Sequence, residues 1–241
     1  MNGLQVRNLH KKFVTPSGRE VVALDGVSFD IPPGAVLAVV GHNGSGKTTL
    51  LNCIRHDVQW DEGEISFAGT PLARARRRIV SVFQDVELGV VSSMTPAENL
   101  SLAFSHNRGF RWTLPERCYR ADIDEMLQTH QLGARFSRYR STPASDLSGG
   151  ERQQLAILMA IMRKPDILLL DEFVANLDPL IKSELLTWMR AWIKDNSVTT
   201  VMVTHDMAVA RAWGEWLLEL SQGVVTRFEA CAPDAAVPDN A

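Results

Sequence analysis

The chain has 241 residues, 45% of them hydrophobic and 22% charged, with a net charge of −3. That length supports one large domain or two small ones with ample core, and the mild acidity argues against a protein whose main partner is nucleic acid. No apolar run approaches the about 18 residues of a bilayer span, and the opening MNGLQVRNLHKKF lacks a signal peptide's apolar stretch, so any membrane role is expected through a partner. Cys53, Cys118 and Cys231 share no motif spacing and read as reduced, structural thiols.

In chain order, LQVRNLHKKFV and VVALDGVSFDI alternate as an antiparallel pair would, with PSG and PPG supplying turns. AVLAVV is a continuous apolar run suited to a buried parallel strand. A glycine loop follows, then a helical TTLLNCIRH and a hairpin-like EGEISFAGT. From about 87 to 163 the periodicity is helical, in ENLSLAF, ADIDEMLQTHQL and ERQQLAILMAIM. Beyond it, ILLLDE and TTVMVTH are buried strands separated by the helical IKSELLTWMRAWIKD. Strand–helix alternation at both ends around a helical insert predicts an α/β core carrying a helical subdomain. The tail EACAPDAAVPDNA is expected to be loose.

GHNGSGKT fits G-x-x-x-x-G-K-[ST], with a strand before it and a helix after it. Glycines there let backbone amides turn inward on phosphates at a helix N-terminus. The motif assigns nucleotide binding to Gly41, His42, Asn43, Gly44, Ser45, Gly46, Lys47, Thr48 and Thr49. Lys47 would reach the β- and γ-phosphates of a triphosphate, and Thr48 would ligate Mg²⁺. In KPDILLLDE, four apolar residues put Asp171 and Glu172 at the C-terminal end of a buried strand, where ligands of α/β sheets gather. Asp171 suits Mg²⁺ held through water, and Glu172 suits a base for an attacking water. A helix cap is the plain alternative for such a pair, disfavoured beside a phosphate loop.

The phosphate loop, LSGGE and LLLDE, in that order, resemble the ATP-binding subunit of ABC transporters over about residues 3–227. The resemblance implies a P-loop NTPase (RecA-like) core with an N-terminal antiparallel β subdomain and an inserted α-helical subdomain. It implies one ATP-binding domain over 3–230, with residues 231–241 as tail. It also implies an active ATPase using ATP and Mg²⁺. Phe13 matches an adenine-stacking aromatic. Gln84 matches a glutamine near Mg²⁺ and the attacking water. Asn176, Leu177 and Asp178 match a loop that crosses between subunits, and His205 matches a γ-phosphate contact. Taken alone, Phe13 would be core, Gln84 a polar strand end and His205 a satisfied histidine; order and spacing relative to the two strong motifs favour the site. Ser148, Gly149, Gly150 and Glu151 head the helix ERQQLAILMAIM, whose dipole and free N-terminal amides favour an anion, and in the family that surface faces the γ-phosphate of nucleotide held by a second subunit. Phe173, where many relatives have proline, and AILMAIM, where most carry an arginine, depart from the pattern without touching phosphate.

Within the family, VFQDVELGVVSSMTPAENLSLA and TTVMVTHDMAVA resemble bacterial importers described as tryptophan/tyrosine-type. That implies a homodimer or paired ABC subunit, an integral-membrane permease, an extracytoplasmic solute-binding protein, amino-acid-like solutes, and a peripheral place on the cytoplasmic face of the inner membrane. The alternatives are an exporter or lipoprotein-release ATPase, or a soluble ATPase of a metabolic complex. Two basic stretches stay open: ARARRR as a solvated turn, and NRGFRWTLPERCYR as a permease or headgroup contact or a plain connector.

Overall fold

The computed structural model describes residues 3–72, 78–108, 123–124, 136, 139, 142–175 and 177–231. Asn176, Cys118, most of ARARRR, most of the arginine-rich stretch and the tail after Cys231 lie outside the described residues, as does nearly all of ADIDEMLQTHQL. The chain divides into two compact units, one of residues 1–79, 166–172 and 183–241, the other of 80–165 and 173–182.

In the first unit, strands β1 (Leu4–Val14) and β2 (Glu20–Ile31) form an antiparallel pair. β1 also pairs antiparallel with β4 (Glu62–Phe67), which turns back into the short β5 (Thr70–Pro71), so this sheet runs β2-β1-β4-β5. The hairpin expected at EGEISFAGT is therefore present. The second sheet contains β3 (Val36–Val40), β7 (Ile167–Asp171), β8 (Thr199–Val203), β9 (Trp216–Ser221) and β10 (Val224–Ala230), with neighbours in the order β10-β9-β3-β8-β7. β3 pairs parallel with β8 and β9, and β7 pairs parallel with β8. Every residue of β3 and β8 is buried, as continuous apolar runs require when both faces of a sheet are covered.

One hydrophobic core joins the two sheets. Leu4, Leu24 and Ile65 come from the first, and Leu37, Leu169, Val201 and Leu218 from the second. Leu50, Leu51 and Ile54 of helix α1 (Lys47–Arg55) complete it, locking the glycine loop to its foundation. Cys53 is buried in this core, and burial pushes its thiol up to about 11, so it stays a neutral packing residue.

The second unit contains helices α2 (Pro96–Arg108) and α3 (Gly149–Met162). Asn99 is fully buried at the start of α2. Its side chain accepts from the Val91 amide at 2.8 Å and donates to the carbonyls of Val91, Met94 and Thr95, holding the irregular segment 91–95 in place. Strand β6 (Ile79–Val82) leads into this unit, while helix α4 (Pro179–Asp195) lies mostly, and α5 (Met207–Trp213) wholly, within the residues of the first.

Candidate functional site

β3 ends at Val40 and α1 begins at Lys47, and the six residues between them form a cradle. Gly41, Gly44 and Gly46 have φ of 148, 79 and 105, values that favour glycine. A Cβ on Gly41 would fall 2.2 Å from the Leu220 carbonyl oxygen, and one on Gly46 2.5 Å from that of Ala23, so two of these positions are closed to any side chain. Gly44 faces open space. Gly46 caps α1 without a side-chain hydrogen bond, leaving the first-turn amides to an outside acceptor. The Ser45 hydroxyl is buried with no hydrogen-bond partner. An orphaned hydroxyl beneath a glycine loop at a helix N-terminus fits a phosphate group. Lys47 is 7% exposed, and its Nζ donates to the carbonyls of Gly41 at 2.7 Å and His42 at 3.0 Å. His42, Asn43 and Thr48 are exposed, and Thr49 is half-buried.

Asp171 ends β7 as expected, in register with Val203 of β8. Burial, and then the neighbouring Glu172, push its carboxyl above the ordinary range, against the pull of Arg55 and Lys47. A divalent cation would relieve both. Glu172 leaves the strand with φ 42, a left-handed backbone uncommon outside glycine, while its amide still donates to the Val203 carbonyl at 3.0 Å. That turn directs the side chain to His205, whose Nδ1 lies 3.3 Å from Glu172 Oε2. His205 lies two residues past the end of β8, and Asp206 then caps α5 by accepting from the amides of Ala208 and Val209. The cradle, Asp171, Glu172 and His205 all belong to the first unit. So does Phe13, 41% exposed near the end of β1, which is therefore not a core residue.

Gln84, Ser148, Gly149, Gly150, Glu151, Leu177 and Asp178 belong to the second unit. Gln84, Ser148, Gly149 and Asp178 are exposed. Ser148 is the N-cap of α3 in a full capping box: its Oγ accepts from the Glu151 amide at 3.2 Å, and Glu151 Oε2 accepts from the Ser148 amide at 2.9 Å and from its hydroxyl at 2.7 Å. One amide that the sequence leaves free is thus occupied, and the chain's own carboxylate is the resident anion at that helix end. A Cβ on Gly150 would lie 3.4 Å from Leu177, so the loop after Glu172 packs against the head of α3.

Two contacts that no motif indicates bind the Gln84 segment to α3. Gln153 Nε2 donates to the Phe83 carbonyl at 3.2 Å, and Arg152 Nη1 to Glu87 Oε1 at 2.8 Å. Gln153 is 6% exposed, an unusual burial for glutamine and the only sequence signal was its place within an apolar helix face.

A profile of the ABC transporter family matches residues 24–175. The chain is 36% identical over 230 residues to a tyrosine transport ATP-binding protein of Clostridioides difficile, covering 92% of this chain and 90% of that one. It is also 36% identical over 241 residues to a sulfate/thiosulfate import ATP-binding protein of Burkholderia mallei, covering 99% of this chain but only 64% of that protein's length. Among solved structures it is similar to a dimeric ATP-binding cassette in a post-hydrolysis state bound to ADP and Pi, with a TM-score of 0.78 and 26% identity over 95% of this chain and 99% of that one. It is likewise similar to cbiO1 from Clostridium perfringens, part of the ABC transporter complex cbiONQ, with a TM-score of 0.77 and 26% identity over 95% of this chain and 88% of that one.

Proposed function

The chain belongs to the ABC transporter family, as an ATP-binding subunit that hydrolyses ATP, and from that premise we propose that it powers import of an amino-acid-like solute through a separate membrane permease. Its domain is residues 3–230, with the helical subdomain at about 87–163 and the tail from 231. The observation that carries the hydrolytic reading is the 3.3 Å pairing of His205 with Glu172 in the unit that also holds the phosphate cradle. The name of the sulfate/thiosulfate import relative supports import, and that of the tyrosine transport relative supports an amino-acid-like solute.

Gly41–Thr49 hold the triphosphate, with the Ser45 hydroxyl and the α1 amides as donors and Lys47 released from its loop carbonyls to the β- and γ-phosphates. Phe13 stacks on adenine. Thr48, Gln84 and Asp171 would hold Mg²⁺, which would supply positive charge to the phosphate oxygens. Glu172 accepts a proton from water as the water oxygen bonds to the γ-phosphorus. The bond from that phosphorus to the β,γ-bridging oxygen breaks, leaving ADP and inorganic phosphate. His205 holds Glu172 in position and contacts the γ-phosphate.

Ser148, Gly149, Gly150 and Glu151 complete the site of a second copy or a paired ABC subunit, and Asp178 lies on the same contact. The resident Glu151 carboxylate must then yield Ser148's hydroxyl to phosphate. Closure of the pair passes through the Gln84 segment to the permease on the cytoplasmic face of the membrane, with an extracytoplasmic protein delivering solute. Among the described residues, no helix is long and apolar enough to cross a membrane.

The test is uptake of labelled amino acids, tyrosine first, in cells lacking this gene and complemented with the native chain or with Glu172→Gln. Native chain restores uptake and the variant does not. Restored uptake with the variant, or an effect on efflux alone, overturns the reading.

A further inference from the structure

β1 outruns its neighbour on one side. Its last backbone pair with β4 is His10 with Glu62, so Lys12, Phe13 and Val14 continue beyond the end of β4. The side chain of Asp61 takes over there. Asp61's own amide donates to the His10 carbonyl at 2.9 Å, its Oδ2 accepts from the Lys12 amide at 2.6 Å, and its Oδ1 accepts from Lys11 Nζ at 3.2 Å. These donors, the Lys12 amide foremost, hold the carboxyl below its ordinary range, so it is an anion at any physiological pH. Anchored in this way, Lys11 is only 14% exposed and sets its ammonium 5.2 Å from the centroid of the Phe13 ring. The ring itself stays 41% exposed.

A free phenylalanine at a strand end would sample several rotamers and lose them on binding, at a cost to affinity. A cation fixed over the ring selects one orientation. It also draws π-density toward itself, which leaves the remaining surface better matched to an electron-rich purine. We propose that Asp61 and Lys11 are positioning residues for nucleotide binding, holding and polarising the Phe13 ring so that its exposed surface stacks on the base. This rests on the adenine-stacking role proposed for Phe13. A lysine on the same strand could instead serve the phosphates by charge alone, and the two roles make different demands on the ligand.

The experiment is equilibrium binding of ATP and of inorganic tripolyphosphate, each with Mg²⁺, to the full chain and to Lys11→Met, Lys11→Arg, Asp61→Asn and Phe13→Ala. Lys11→Met and Asp61→Asn weaken ATP by about two- to fivefold, the scale of an exposed cation–π contact, and leave tripolyphosphate unchanged. Lys11→Arg keeps the cation over the ring and retains ATP affinity. Equal losses for both ligands overturn the proposal in favour of a phosphate role, and unchanged ATP affinity in Lys11→Met overturns it in favour of a purely structural pair. Phe13→Ala with unchanged ATP affinity refutes the stacking role of Phe13 itself, a separate failure. Circular dichroism of each variant checks that the β1 region remains folded.

Discussion

His205 Nδ1 stands 3.3 Å from Glu172 Oε2, joining the residues that follow two adjacent parallel strands. The pair is lopsided: the His205 side chain is 67% exposed and that of Glu172 only 17%. A mostly buried carboxylate held by an exposed imidazole is suited to receive a proton from water and release it to solvent.

Glu172→Gln keeps the side chain's shape but removes the proposed base. Steady-state ATPase falls by about 10²- to 10⁴-fold, ATP binding persists, and size-exclusion chromatography with ATP shows a trapped dimer. A variant that stays monomeric at saturating ATP contradicts the shared-site scheme. His205→Ala lowers turnover while leaving the affinity for ADP, which has no γ-phosphate, nearly intact, which separates the two proposed roles of His205 from binding of the rest of the nucleotide.

Ser148 caps α3 and is proposed to serve a partner's phosphate, two duties that substitution can test. Ser148→Ala removes its side-chain cap hydrogen bonds and costs about 1 kcal/mol, read as a lower Tm. Ser148→Gly costs only a few tenths of that unit by the same rule. Both lose ATPase to a similar degree if the hydroxyl also serves the partner's phosphate. Activity that tracks Tm alone assigns Ser148 to the cap and nothing else.

The glycines of the cradle are unequal. Gly46→Ala forces a methyl against the Ala23 carbonyl at φ 105, so it destabilises the fold as well as abolishing ATP binding. Gly44→Ala meets open space and bears only the left-handed backbone cost, about 1–2 kcal/mol. Thermal melts of the nucleotide-free variants should rank Gly44→Ala well above Gly46→Ala.

Asp171 is a stability liability in the nucleotide-free chain. Its pKa is raised in the folded state, by burial first and Glu172 second. The folded chain therefore binds this proton more tightly than the unfolded chain, and the associated stability is present in acid and lost as pH rises through the folded pKa. Asp171→Asn raises the Tm of the nucleotide-free chain at neutral pH, and the gain shrinks as pH falls toward the ordinary carboxylate pKa. The same variant loses Mg²⁺-dependent ATPase. A Tm gain independent of pH would show that the charge is not the cause.

Much of the candidate site was legible because its parts are contiguous. GHNGSGKT needs its glycines, lysine and threonine at fixed spacing within one turn, and KPDILLLDE reads as a buried strand ending in acid without reference to the rest of the chain. Phe13 was not settled by pattern, since an alternating strand puts alternate residues inward, and only the end of β4 at Glu62 shows that the inward face has run out. The free amides expected at Ser148 were partly taken, because S-x-x-E is a capping box as well as a signature and only side-chain geometry tells which bonds form.

The sequence by itself determined the chemistry available: a glycine loop suited to phosphate, an acidic pair, a histidine after a strand, and the family they imply. Local backbone demands write those in short runs, where a glycine or a strand-ending carboxylate has few substitutes. Tertiary structure alone decided which distant groups hold them. Asp61 binds the Lys12 amide across 49 positions, Arg152 reaches Glu87 across 65, and Glu172 meets His205 only because β7 and β8 lie side by side. Such pairs leave no local periodicity, since a long-range contact depends on the register of two strands or the packing of two helices rather than on either segment's own pattern.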